Sequence, residues 1–241
     1  MFEPLINLFY IALYQPLFNL LVFLYNFLPG HDFGLAIIIL TIFIKFLLYP
    51  ISVQAINSQK ALQKLQPKIQ EIQQKYKNDK EKQAREILGL YQTEKINPFS
   101  SLFLSLIQLP ILIALFYVFR NGLNPHELNI LYNFVSNPGQ INALFLNIID
   151  LSKPNTLLAI LSGLTQFYQT KMSFPPSDLK TENKKKDKDV SALIQKQTIY
   201  IFPLLTVIIL LNLPSALGLY WTISGVFFII QQHLSLKQKT T

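Results

Sequence analysis

The sequence predicts an all-α membrane protein: five transmembrane helices around a hydrophilic groove, an N-terminal interfacial helix and a cytoplasmic helical hairpin. Three observations predict it. The chain is 51% hydrophobic and 14% charged, against roughly 25% charged in an average globular chain. Its charge is confined to islands: of 21 Lys and Arg, nine lie between Gln54 and Asn97 and seven between Lys171 and Lys196. Between the islands run apolar stretches long enough to cross a bilayer. A net charge of +8 beside such stretches fits cytoplasmic loops at a membrane. No nucleic-acid module accompanies it, and no nucleic-acid recognition is expected.

Residues 1–29 are apolar but interrupted by Asn7, Gln15, Pro16, Asn19 and Asn26. A kinked span and an interfacial amphipathic helix compete here. Pro16 breaks the helical ladder and leaves two pieces each too short to cross, which favours the interface. Pro29-Gly30-His31-Asp32 is turn chemistry. The first span is expected over 33–53, with Lys45 as its only charge.

Residues 54–97 change character. Leu62, Leu65, Ile69, Ile72 and Tyr76 recur at steps of three and four, a coiled-coil seam. Asn78-Asp79 offers a turn, and Ala84, Ile87, Leu88 and Tyr91 continue the stripe, so two antiparallel helices are expected in water. The second span follows over 98–120, then a broken extracytoplasmic loop over 121–154 and the third span over 155–171. Residues 172–196, with Pro175-Pro176 and Lys184-Lys185-Lys186, are too charged to pack and read as a mobile cytoplasmic loop. Asn212-Leu213-Pro214 divides the remaining apolar run into spans at 197–212 and 215–234. A cytoplasmic tail, 235–241, ends the chain. Five spans with the first entering from outside put every basic island in the cytoplasm.

Lys45 lies about 18 Å along its helix in a hydrocarbon core about 30 Å thick. A charge at that depth costs about 2.5–3.5 kcal/mol. Snorkelling of the lysine to the interface is one reading. The sharper one is that Lys45 faces a wet cavity and attracts acidic ligands. Thr41 shares its face one turn earlier, and Gln108, Gln166, Gln169, Thr222, Ser224, Gln231 and Gln232 place further polar groups in the spans. No Asp or Glu lies within any span, so a counter-charge would come from water or a second molecule. Membrane Thr and Gln are more often helix-to-helix hydrogen bonders; only the set, with Lys45, indicates a groove.

The chain has no Cys, which excludes disulfides and thiolate metal sites. His31, His126 and His233 show no ligand spacing, and no phosphate-binding glycine loop or paired intramembrane carboxylates occur. No enzyme, cofactor or metal is expected. The N-terminus has neither a positive n-region nor an Arg-rich transit character, so a bacterial origin is expected.

Several long motifs, in order, carry a resemblance. Gln15-Pro16-Leu17-Phe18-Asn19 leads into Gly34 and IIILTIFIKFLLYPIS; LQPKIQEIQQKYKNDKEKQAREILGLYQTEKINP runs from Leu65 to Pro98. Leu106-Ile107-Gln108-Leu109-Pro110 then precedes Leu213-Pro214-Ser215 through Tyr220-Trp221, and Ile229-Ile230-Gln231-Gln232 closes the set. The chain resembles the YidC-type membrane protein insertases, in a short form related to the mitochondrial oxidase-assembly and thylakoid Albino insertases.

The resemblance implies a groove, open to cytosol and lipid but closed outside, that takes in the polar flank of a nascent membrane protein without consuming nucleotide. It implies that Lys45, where the family usually has Arg, is the positive groove residue, with Thr41 beside it, and that Tyr220 and Trp221 touch the substrate. Expected partners are nascent membrane proteins and the lipid bilayer, with the ribosome and the Sec translocon as further candidates. The expected location is the bacterial cell membrane, multi-pass, with a cytoplasmic C-terminus. An anion transporter and a structural assembly subunit are the competing functions; a transporter would show internal repeats, and none is found.

Overall fold

The computed structural model describes residues 3–97, 99–122, 124–173 and 190–237. Nearly all are helical. The elements are α1 (Glu3–Phe9), a π-helical turn (Tyr10–Tyr14), α2 (Gln15–Phe27), α3 (Phe33–Leu47), α4 (Tyr49–Lys75), α5 (Lys80–Thr93), α6 (Ser100–Asn121), α7 (Thr156–Ser173), α8 (Val190–Leu210) and α9 (Ser215–Lys237). A two-stranded antiparallel hairpin, β1 (Leu144–Phe145) and β2 (Ile149–Asp150), lies in the long loop before α7. The chain packs as two units, Met1–Leu47 with Leu109–Ile230, and Leu48–Gln108 with Gln231–Thr241.

In the first unit the expected break at Pro16 does not occur. Gln15 donates its N–H to the Tyr10 carbonyl, an i to i−5 bond. The wider turn takes in one extra residue directly before the proline and leaves room for its ring. Helix therefore runs through, and Ile6–Phe27 is 22 residues long and apolar enough to cross a membrane. Length no longer argues for the interface.

The loop before α7 is held against this helix and against the starts of three others. Asp32 caps α3 by accepting from Leu35 N at 2.9 Å and also accepts from Leu146 N at 2.6 Å. Leu146 and Asn147 both adopt positive φ, 51° and 56°, the tight turn that a two-stranded hairpin requires. Asn155 caps α7 through Leu158 N, and Ser215 N and Ala216 N, at the start of α9, donate to the Lys153 and Leu151 carbonyls. Beside them, hydrogen bonds from Ser152, together with the Lys153 ammonium 2.9 Å away, hold the Asp150 carboxyl below the usual carboxylate range. The loop thus carries one short 3-10 helix, Pro125–Ile130, and a hairpin that was not expected.

Gly34 is where this hairpin docks. A Cβ there would lie 2.1 Å from Cδ2 of Phe145 and 2.7 Å from its Cβ, so rotating the ring cannot relieve the clash. Gly34→Ala is expected to lift the hairpin off α3 at a cost of about 1–3 kcal/mol. Limited proteolysis should find faster cleavage within 144–150; an unchanged rate would refute the docking.

Helices α7, α8 and α9 pack through small residues. A Cβ on Gly163 would meet Val207 of α8, and Cβ atoms on Gly218 and Gly225 would meet Leu158 and Thr165 of α7. Their outer faces are apolar and exposed: Leu157, Ile160, Leu164 and Tyr168 on α7, and Tyr200, Leu204, Leu205, Ile208 and Ile209 on α8. A soluble protein rarely exposes such a band, whereas lipid contact requires it.

Among the described residues, one helix, Ile6–Phe27, is by itself long and apolar enough to cross a membrane. The bent pair α3 and α4 passes the same test only when counted as one span, and Leu106–Asn121 and Gln197–Leu210 are apolar but shorter. The expected first span, 33–53, is two helices. Pro50 has no N–H and would clash with the carbonyl of Phe46. The helix therefore ends at Leu47, and α4 begins with that proline in its first turn, where no N–H is needed. The last seven residues of the expected mobile loop, from Val190, already belong to α8; most of the remainder lies outside the described residues.

The second unit contains the hairpin, whose first arm starts at Tyr49 rather than at 54. Leu65 and Ile69 of the predicted seam are buried. Asp79 caps α5 by accepting from Lys82 N at 3.0 Å, and Lys68 pairs with Glu94 across the arms at 2.8 Å. Burial raises the Tyr91 phenol above its usual range. The end of α9 joins α4 through a polar ladder: Ser52 donates to Gln231 Oε1 at 2.7 Å, Gln231 Nε2 donates to the Tyr49 carbonyl, and Ser235 bonds Asn57 and Lys60.

Candidate substrate-binding site

Lys45 sits in the last turn of α3, half-buried and engaged with other groups of the protein. Thr41, one turn earlier, is fully buried, and its hydroxyl donates to the Ile37 carbonyl at 2.7 Å. That bond uses the hydroxyl proton and leaves the oxygen only as an acceptor. Thr41 therefore supports the helix wall and does not present a donor.

Phe46, the neighbour of Lys45, meets Phe227 of α9 edge-on, with ring centroids 5.4 Å apart. This contact turns one face of α9 toward the end of α3. Counting back from Phe227 by three and by seven residues gives Ser224 and Tyr220, on that same face. Tyr220 is 3% exposed. The Ser224 hydroxyl is buried and has no hydrogen-bond partner. Trp221, one step around the helix, is half-buried. The sequence-predicted residues of the first unit, Lys45, Tyr220 and Trp221, thus lie on two helices that touch.

The other predicted polar residues divide by task. Thr222 belongs to a helix-to-helix joint, where Ser162 donates to the Gly218 carbonyl at 2.8 Å and lies 3.0 Å from the Thr222 hydroxyl. Gln166, one turn further along α7, has a buried Oε1 with no hydrogen-bond partner. Gln231 is occupied by Ser52 and Tyr49, whereas Gln232 is 3% exposed with its Oε1 unpartnered. Gln108 is half-buried on the second-unit part of α6.

Sequence reasoning missed Phe227, the residue that brings α3 and α9 together, and Ser162, the hub of the α7–α9 joint. The Ser162-Gly163 pair within an apolar run was the available signal for the joint. Among the described residues no group of three or more His, Asp or Glu could hold a metal ion.

A helical bundle whose outer faces on α7 and α8 are apolar and exposed, with Lys45 of α3 near the α9 face that carries Ser224, has the surface of a helical membrane protein. The model of the 60Kd inner membrane protein family matches residues 23–241. Among curated proteins, the membrane protein insertase YidC of Fusobacterium nucleatum is 32% identical over 228 residues, covering 94% of this chain and 98% of that protein. The YidC insertase of Geobacter sulfurreducens is 32% identical over 232 residues, and that of Buchnera aphidicola 35% over 225. This chain spans 38% and 37% of those longer relatives. The chain belongs to the YidC-type insertases of the bacterial inner membrane, a family of insertases rather than of enzymes.

Proposed function

We propose that the chain inserts nascent membrane proteins by taking their polar flank into a positively charged intramembrane groove and releasing apolar segments into lipid. The observation that carries this is the α3–α9 contact, which sets Lys45 near a helix face holding an unpartnered buried hydroxyl, Ser224. A polar flank entering there would find a cation and a hydrogen-bonding group in place of bulk water. Tyr220 and Trp221 offer amphipathic rings for an apolar segment leaving toward lipid. Thr41 backs the helix wall one turn before Lys45.

The hairpin and the C-terminus lie in the cytoplasm on this reading. The hairpin's basic faces receive the substrate, and a ribosome or a Sec translocon would dock there. The first helix lies in the extracytoplasmic interface, where its amides hydrogen-bond the polar loop before α7. Ile6, Ile11, Phe23 and Phe27 remain exposed to acyl chains.

Photocrosslinking tests the function. Probes at Trp221 and Gln108 should each capture several short nascent membrane proteins stalled during synthesis. Capture of one fixed partner would point instead to an assembly subunit, and capture of none, with anion uptake into vesicles, to a transporter.

A further inference from the structure

The β1–β2 hairpin before α7 has an apolar tip. Residues Leu144 to Ile149 carry no charge, and all but Asn147 are hydrophobic. Turns between two strands ordinarily take Asn, Asp or Gly, which enter the left-handed backbone region at little cost. Here a leucine does so: Leu146 adopts φ 51°, where its Cβ crowds the following carbonyl oxygen. The side chain gains little inside the protein in return, because Leu146 is 56% exposed and Ile148 beside it 80%. An exposed aliphatic residue is ordinary by itself. One held at a backbone position that disfavours it, beside a second, points to a contact outside the chain.

The base of the hairpin fixes the level at which the tip sits. Phe145 packs on Gly34, the second residue of α3, and Leu146 N donates to Asp32, which caps the same helix. Past β2, the Lys153 and Leu151 carbonyls accept from Ser215 N and Ala216 N at the start of α9, and α7 begins at Thr156. Three helices thus start around the hairpin. The exposed apolar face of α7 begins in its first turn, at Leu157, and continues through Ile160, Leu161 and Leu164. The starts of these helices therefore mark the edge of the lipid-facing band. Leu146 and Ile148 follow Phe145 by one and three residues, a reach of at most about 10 Å at roughly 3.3 Å per residue. The headgroup layer outside the hydrocarbon is of similar depth, about 5–7 Å. The one acid within the two strands, Asp150, is paired with Lys153 at 2.9 Å, so it does not hold the hairpin out of that layer.

We propose that the hairpin tip, Leu146 with Ile148, is a lipid anchor that inserts into the headgroup layer of the leaflet where α3, α7 and α9 begin. Lipid is the occupant because the tip continues the level at which the exposed face of α7 starts. On the orientation proposed above that leaflet is the extracytoplasmic one, but the anchor needs neither a substrate nor a partner protein. Its backbone is fixed in advance by Asp32 and by Phe145 on Gly34, so little conformational freedom is lost on insertion. The uncharged tip then holds this end of the bundle at a set depth.

The chain has no cysteine, so Ile148→Cys places a single fluorescent nitrobenzoxadiazole at the tip, on a side chain exposed enough to leave packing intact. Gln140→Cys, exposed in the polar part of the same loop, is the reference. Each full-length variant is reconstituted as the sole protein in phosphatidylcholine vesicles, with iodide on both faces or with lipid spin-labelled at carbon 5 of an acyl chain. The Ile148 probe should emit at shorter wavelength than the Gln140 probe, be quenched several-fold more by the spin-labelled lipid and several-fold less by iodide. Equal quenching of the two probes by iodide, at unchanged helix content, would overturn the anchor. So would an Ile148 probe shielded from iodide yet untouched by the lipid label, since a second copy of the protein would then cover the tip. No substrate enters the measurement, so either result would leave the insertase reading standing, while loss of nascent-chain crosslinking at Trp221 would leave the anchor standing.

Discussion

Lys45→Ala is expected to abolish growth on substrates with acidic flanks in a strain depleted of its own insertase, while Lys45→Arg supports it. A carboxylate drawn toward the bilayer interior without a partner costs several kcal/mol. A cation about 4 Å away returns roughly 4 kcal/mol at an effective dielectric of 20. On the proposed insertion route, removing the cation should therefore raise the barrier by about 2–3 kcal/mol, a fall of about 30- to 150-fold in insertion rate. Arginine keeps the charge and adds a fork that can hold a carboxylate by two bonds, so Lys45→Arg should match or exceed the parent. Substrates with neutral flanks should lose far less. Protease protection of a reporter carrying an acidic or a neutral flank separates these cases; equal losses for both would remove Lys45 from the charge-recognition step.

Gly163→Ala is expected to destabilise the packing of α7 on α8. Its Cβ would sit 2.3 Å from Cγ2 of Val207 and 3.3 Å from the Pro203 carbonyl. Val207 is β-branched in a helix, where one rotamer dominates, so its methyl cannot swing away. The Pro203 carbonyl is backbone and fixed. Helices α7 and α8 must move apart, at a cost of about 1–3 kcal/mol. Thermal unfolding in detergent should show a lowered Tm. The double variant Gly163→Ala with Val207→Ala should recover part of the loss, because the clash partner is gone. A double variant less stable than the sum of the single ones would show that the contact is not where the strain arises.

Much of the candidate site was legible because it depends on local chemistry. A lysine in an apolar run is conspicuous at any tertiary arrangement, and Tyr220-Trp221 stand in a motif. What α9 does with its polar residues was not legible. Thr222, Ser224 and Gln231 look equivalent in sequence, yet one joins α7, one is buried with no hydrogen-bond partner, and one binds the start of α4. The partners of Thr222 and Gln231 lie 60 and 179 positions away, and helical phase alone does not say which neighbour each face meets.

The first helix shows the same division. Its amides read as flaws in a span, because the loop backbone they bind begins more than a hundred residues later. Pro16 and Pro50 show it most directly. Both have the same covalent restriction, yet one is absorbed by a π-helical turn and the other ends a helix.

The sequence by itself determined which segments are apolar, where the basic islands fall, the hairpin with its Asn78-Asp79 turn and its Leu65–Ile69 seam, and the lysine within an apolar run. Each follows from side-chain hydrophobicity, charge and bonding within a few residues. Only the tertiary structure decided the α3–α9 contact through Phe46 and Phe227, the close approach of α7 and α8 at Gly163, and the hydrogen bonding of the loop by Asn19. Those outcomes depend on which distant backbone groups and ring faces are left to be satisfied once the helices have packed.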